Sequence, residues 1–311
     1  MRLEQPFYQL PILFDAARLQ EEVAALPPQA WAPHPDRVAG NSAARLITAH
    51  GEENDGVYGQ MLPTRWLAQM PYARQVLASF GVVWSRSRLM RLAPGAEVPE
   101  HADINYHWHT RVRMHVPVVT REEVRFHCDG ESVHMAAGEA WIFDNWRRHH
   151  VENPSPTERI HLVADTTGTS AFWNFACAPP PPRGQWRTLP FRPEASPKLL
   201  TETSLRPAIM PPAEVQWLVE DWIAELAPAS AEAEPQVAAL TRHLRDFVRD
   251  WRQLCAMHGD NPRARPAFTG MARTCEQAAA PLAEGLVMRT NGADAMLVLQ
   301  KRVLHHLVAE Q

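Results

Sequence analysis

The chain has 311 residues, 45% of them hydrophobic and 21% charged, with a formal net charge of −4. That is the balance of a globular protein with enough length for a large core and two domains. The mild negative charge and scattered arginines supply no basic surface for nucleic acid or an anionic membrane.

No apolar run approaches the ~18 residues of a membrane span. The start, MRLEQPFYQLPILFDAARLQ, lacks a basic region followed by an apolar run. Cys128, Cys177, Cys255 and Cys275 show neither CxxC nor zinc spacing. A reduced, cytoplasmic setting is expected.

In chain order, Asp15 can cap a helix running to about Leu26, where Pro27-Pro28 ends it. Pro71 and Gly81 bracket a second helix over 72–80, and 45–48 reads as a short strand between the two. From Val82 the pattern changes to short strands. Residues 82–92 are extended and end in the turn Pro94-Gly95. Over 111–119, Val112, Met114, Val116 and Val118 occupy one face and Arg111, Arg113 and His115 the other. Strands over 124–128 and 131–135 flank Asp129-Gly130, a two-residue hairpin signal. Residues 140–144 and 159–165 complete the set; in the last, Ile160, Leu162 and Ala164 oppose Arg159, His161 and Val163.

Such strands and turns predict a mainly β core, a double-stranded β-helix (jelly roll, cupin-like) with flanking N-terminal helices. The run Pro179 to Pro182 reads as part of a linker over 178–192. Beyond Pro207 the apolar residues follow helical stripes: Val215 to Leu226, then Val237 to Cys255 stopped by Gly259, then a last helix from Met296 to Val308. The expected division is a jelly-roll domain over 1–192, with its core at 82–170, and a C-terminal α-helical bundle over 193–311. The bundle packs on itself, on the barrel, or on a second copy as a homodimer.

His101 and Asp103 stand two apart on an extended segment, so both side chains share a face and can reach one metal ion. A histidine from 149 or 150 would complete two imidazoles and one carboxylate, the facial triad of non-haem Fe(II) oxygenases, which leaves three metal positions open. A chelating 2-oxoacid and O2 can fill them. An inward Arg159 could hold the acid's far carboxylate. Adjacent histidines point to opposite faces of a strand, so only one of His149 and His150 can be the ligand. His127 and His134, on opposite limbs of the 129–130 hairpin, could face each other in a structural or surface role. Trp84, Arg86, Arg88 and Arg91 could line the cavity or simply pack.

The stretches PGAEVPEHAD, RVRMHVPVV, GEAWIFD, HHVEN and ERIHLVAD resemble the aspartyl/asparaginyl β-hydroxylase family of Fe(II)/2-oxoglutarate oxygenases. The layout of a jelly roll followed by a helical domain is also similar to that of bacterial cis-proline 3-hydroxylases. The resemblance implies that His101, Asp103 and His149 bind iron and that Arg159 holds the distal carboxylate of 2-oxoglutarate. It further implies that Arg113 approaches the other carboxylate and that His115 assists. His149 is favoured over His150 because it keeps the family's steps of ten residues to Arg159 and four to Asn153.

The animal aspartyl hydroxylases have glycine where this chain has Asp103. The complete triad is shared instead with the proline hydroxylases, which weakens transfer of peptide-aspartyl specificity. The 104–110 loop is longer than in the aspartyl hydroxylases, and its Asn105, His107 and His109 are either substrate contacts or polar rim. The expected substrate is an amino acid, free or on a peptide or carrier, Asp/Asn-like or proline-like. Two rival readings are a metal-binding cupin-like barrel that acts as a sensor, and an interaction protein working through its helical half.

Overall fold

The computed structural model describes residues 1–33, 38–203, 207–227, 234–259 and 261–309. The chain divides into two compact units, Met1–His101 with Thr110–Leu205, and Ala102–His109 with Arg206–Gln311.

In the first unit, eight consecutive strands are divided between two sheets. Val83–Leu92, Val112–Val119, Ala140–Phe143 and Arg159–Thr166 lie in the larger sheet, in the spatial order 140–143, 112–119, 159–166, 83–92. Glu97–His101, Arg125–Cys128, Glu131–Val133 and His149–Glu152 form the smaller sheet, in the order 131–133, 125–128, 149–152, 97–101. This antiparallel double winding is a double-stranded β-helix. Asp129 and Gly130 both adopt positive φ, 52° and 79°, as a type I′ hairpin requires.

The period-two alternation of the strands decides which side faces what. Val112, Met114, Val116 and Val118 are fully buried in a core shared with Ile160, Leu162 and Ala164 of the neighbouring strand and with Leu19, Val23, Tyr72 and Val76 of two helices. Those helices, Ala16–Ala24 and Pro71–Ala78, cover the outer, apolar face of the larger sheet. The Glu22 carboxylate joins them by accepting from the Tyr72 and Ala73 amides at 2.7 and 3.0 Å, at the start of the second helix. Asp15 caps the first helix by accepting from the Arg18 amide. The opposite face of the larger sheet, with Arg113, His115, Arg159 and His161, therefore looks into the barrel. A smaller apolar cluster of Phe7, Leu92, Phe126, Phe143 and Val151 shares that interior.

The N-terminal region is more sheet-like than its sequence suggests. Phe7–Leu10 pairs with the 140–143 strand, and Asn41–Ala49, longer than the expected 45–48, pairs with the 83–92 strand. The 178–192 segment is not a plain linker: Arg187–Leu189 pairs in parallel with Ile12–Phe14. Leu200–Thr201 also joins the 83–92 strand, which carries the barrel unit past residue 192 to Leu205.

The second unit contains helices Pro212–Glu225, Glu234–His258, Arg265–Ala283 and Ala295–Arg302. Its core is made by Val215, Leu218, Trp222, Leu244, Trp251 and Phe268, among others. The third helix was not visible as a stripe, because it buries mostly small residues, Cys275, Ala279 and Ala283, beside Phe268.

The 102–109 segment belongs to this unit and is tied to its helices. The Tyr106 hydroxyl bonds to the Glu214 carboxylate, and its ring stacks on His306 at 5.3 Å. His109 packs 4.3 Å from Trp217, with its Nδ1 3.7 Å from Asp221, which also pairs with Arg302 at 3.1 Å. His107 is buried against Trp108, and Asn105 caps the short turn by accepting from the His107 amide. His107 and His109 are thus packing residues rather than free rim groups.

Arg302 is almost fully buried, so losing its carboxylate leaves a desolvated cation. Asp221→Ala is expected to destabilise this unit by about 3 kcal/mol or more and to raise hydrogen exchange across 102–109. Unchanged exchange there would show that the pair does not hold the segment.

Candidate metal centre

His101 ends one strand of the smaller sheet and His149 begins its neighbour, and the two are direct cross-strand partners. Their rings lie 4.2 Å apart. Asp103 follows two residues after His101. One ligating atom from each of His101, Asp103 and His149 falls within 4.8 Å of the others.

The proton positions follow from the partners. His101 Nδ1 lies 2.8 Å from the Pro99 carbonyl and His149 Nδ1 2.9 Å from the Arg147 carbonyl. A carbonyl only accepts, so each Nδ1 carries the proton and each Nε2 presents a lone pair. Backbone carbonyls that fix the tautomer and ring orientation in this way are the usual outer partners of metal-bound histidines. Asp103 Oδ2 is buried with no hydrogen-bond partner. Two imidazole lone pairs and an unsatisfied carboxylate oxygen suit a divalent ion of the Fe(II) type. His150 points to the other side of the sheet and is half-exposed, whereas His149 is 3% exposed.

These histidines border a cavity of about 310 Å³ between the sheets, which is also lined by Arg113, His115, Phe126, Phe143 and Arg159. Arg159 is 4% exposed and donates to His161 Nδ1 at 2.7 Å. Burial alone pushes its guanidinium down to about 9, so it is still cationic at neutral pH. No carboxylate among the described residues pairs with it, and its Nε is buried without a partner. An anion entering this cavity would meet a desolvated, uncompensated cation.

His115 Nδ1 also approaches His161 Nδ1, at 3.2 Å. Because Arg159 donates to that His161 nitrogen, the His115 Nδ1 must carry a proton, which leaves its Nε2 as an acceptor. On this tautomer His115 braces the His161–Arg159 pair. His161 was legible only as a residue sharing the Arg159 face within ERIHLVAD.

Arg113 donates from Nε to Asp165 at 3.1 Å while lining the cavity. Trp84 is fully buried in the core under the N-terminal helices. Arg86 and Arg88 are held by Asp165 and Asp55, at 3.5 and 3.2 Å. Arg91 stacks over Trp31 at 4.2 Å. Asn153 donates to the carbonyls of Leu92, Ala93 and Thr157, closing the loop between the 149–152 and 159–166 strands.

Burial, reinforced by Arg159, holds the His115 and His161 imidazoles well below the ordinary histidine range. Below about pH 6.5 the unfolded chain therefore binds protons that the native chain does not, so native stability rises with pH. The contribution is complete above about 6.5 and is lost as the pH falls. Urea unfolding between pH 7 and 5 should show this loss, and His161→Gln should make it shallower. An identical slope in that variant contradicts the assignment.

The aspartyl/asparaginyl beta-hydroxylase family model matches residues 57–168, which contain the metal residues and Arg159. Among solved structures, an oxidoreductase of the 2OG-Fe(II) oxygenase family from Burkholderia pseudomallei is similar at 15% identity and TM-score 0.36, over 50% of this chain and 80% of that one. A Pseudomonas putida prolyl-4-hydroxylase is similar at 15% identity and TM-score 0.36, over 54% of this chain and 95% of that one. A Klebsiella pneumoniae protein with a double-stranded beta-helix domain is similar at 19% identity and TM-score 0.22, over 27% of this chain and 69% of that one. Likenesses at this level concern the β-fold alone. The family match thus covers about a third of the chain, and over residues 57–168 the barrel segment is similar to the aspartyl/asparaginyl beta-hydroxylase family.

Proposed function

We propose that this protein is an Fe(II)- and 2-oxoglutarate-dependent dioxygenase that hydroxylates an unactivated C–H bond of an amino acid, free or held on a peptide or carrier. The observation that carries the reading is one cavity bordered by two metal-ready imidazoles and by Arg159, a buried cation without a carboxylate. A metal-binding sensor barrel would keep the imidazoles but would have no use for a desolvated guanidinium beside them.

When bound at this site, Fe(II) with 2-oxoglutarate and O2 would supply oxidation of the C–H bond, with release of succinate and CO2. The chain's own residues do the rest. His101, Asp103 and His149 would hold the ion on one side and leave the cavity side open. Arg159 would take the distal carboxylate of 2-oxoglutarate in charge-assisted hydrogen bonds. His161 and His115, both neutral, keep the guanidinium aimed without competing for its charge. Arg113, fixed by Asp165, would meet the co-substrate's other carboxylate or a carboxylate of the substrate. Phe126, Phe143 and Val151 exclude water from the space between.

Arg113 lines the cavity and Arg86 and Arg88 do not, so Arg113 is the better candidate for a substrate anion, in keeping with an amino acid of the Asp/Asn or proline type. None of the four cysteines is in a disulfide among the described residues, in keeping with a reducing, cytoplasmic compartment. Among the described residues no helix is long and apolar enough to cross a membrane.

Fe(II) and 2-oxoglutarate added anaerobically should give a weak visible charge-transfer band. Asp103→Ala should abolish it. Arg159→Ala should require about ten- to a hundredfold more 2-oxoglutarate, as expected for a lost hydrogen bond to a charged group. A band absent from the wild-type protein, or indifferent to both changes, overturns the proposal. The substrate class is tested by offering amino acids and short peptides and scoring succinate together with a mass gain of one oxygen. Coupled turnover only with substrates outside amino acids and peptides would contradict the class.

A further inference from the structure

The smaller sheet carries a second cluster, on the face turned away from the cavity. The register places His150 directly opposite His127 on the neighbouring strand, not His134 opposite His127 as the hairpin alone suggested. The two imidazoles are stacked face to face, 3° from parallel, with centroids at 4.1 Å. Glu152 follows His150 by two residues and so shares its face. One carboxylate oxygen lies 3.6 Å from His127 Nε2 and the other 3.7 Å from His150 Nε2. His127 Nε2 is buried and has no hydrogen-bond partner.

We propose that His127, His150 and Glu152 form an outer binding site for a borderline divalent transition-metal ion, with Zn2+ the best match. Three ligating atoms lie within 4.8 Å of one another on the sheet surface. Both carboxylate distances are too long for hydrogen bonds, so neither ring is satisfied by the glutamate directly. They are close to the ~3.3 Å edge of a tetrahedron built from metal–ligand bonds of about 2.0–2.1 Å. Rotation of the two imidazoles out of their parallel stack, so that both ring planes contain the ion, would complete three corners with the carboxylate and leave the fourth to water.

The donor set also selects the ion. Two imidazoles with one carboxylate suit Zn2+, Ni2+ or Cu2+ rather than Mg2+ or Ca2+, which take oxygen ligands. The partly exposed position, with His127 and His150 half-buried and Glu152 exposed, gives the ion a direct route from solvent. The backbone sets the spacing in advance. The backbones of His127 and His150 are fixed by strand pairing, and that of Glu152 by the pleat, so binding asks for rotation of side chains on a set frame. The outer site stands whether or not the inner triad binds iron, because its residues face the opposite side of the sheet.

The test is zinc binding to the full chain after chelator treatment, by calorimetry and by metal analysis of the desalted protein. His127→Asn and Glu152→Gln should each bind one Zn2+ fewer per chain than the wild type, or bind that ion at least a hundredfold more weakly. The double variant His101→Ala, Asp103→Ala should still bind the outer ion. With Cu2+, paramagnetic resonance should show a two-nitrogen signal in that double variant, and His150→Asn should remove it. Circular dichroism and thermal melts of each variant without metal control for folding. A zinc stoichiometry and affinity unchanged in folded His127→Asn and Glu152→Gln overturns the site.

Discussion

Arg159 is 4% exposed, donates to a neutral imidazole, and shares its cavity with Phe126, Phe143 and Leu92. Removing a cation from water without a counter-charge costs on the order of several kcal/mol. The barrel must carry that cost, and an anion entering the cavity would offset it. Every neighbouring feature is arranged around this condition. His161 and His115 are kept neutral by the same burial, so they orient the guanidinium without adding charge to the cavity. Asp165, the nearest inward carboxylate on the same strand, is committed to Arg113 and Arg86.

The stability that tolerates such a group lies on the other face of the sheet. Val112, Met114, Val116 and Val118 are each fully buried, and burial of a side chain of this size contributes about 1.5–3 kcal/mol as an upper bound. They face the two N-terminal helices, not the barrel interior. The period of two separates the faces of each strand: Arg113 and His115 turn to the cavity, and the even positions 112–118 to the core. A one-residue slip would exchange the faces and destroy both. The same alternation on the 149–152 strand sends His149 to the cavity and His150 to the outer cluster.

Much of this was legible because it rested on that alternation. The 112–119 and 159–166 strands, the Asp129-Gly130 hairpin and the shared face of Arg113 and His115 follow from period and turn chemistry alone. The strands Phe7–Leu10 and Asn41–Ala49 were obscured because burial does not alternate along them. Arg187–Leu189 was hidden by its length and its proline-rich surroundings. The helix Arg265–Ala283 lacks large apolar residues at helical spacing. Pairing between strands distant in sequence was beyond reach as well: the sequence could set His127 against His134 on one hairpin, but only the fold brings it against His150. The tautomer of His115 depends on Arg159 reaching His161, a third-party contact that no local pattern encodes.

The most direct test of the central account is a crystal structure grown anaerobically with Mn(II), as a redox-inert stand-in for iron, and 2-oxoglutarate. The account predicts the ion on His101, Asp103 and His149, with the distal carboxylate of 2-oxoglutarate paired with Arg159 inside the barrel. An ion on that triad with the carboxylate elsewhere, or no ion there at full Mn(II) loading, would contradict it.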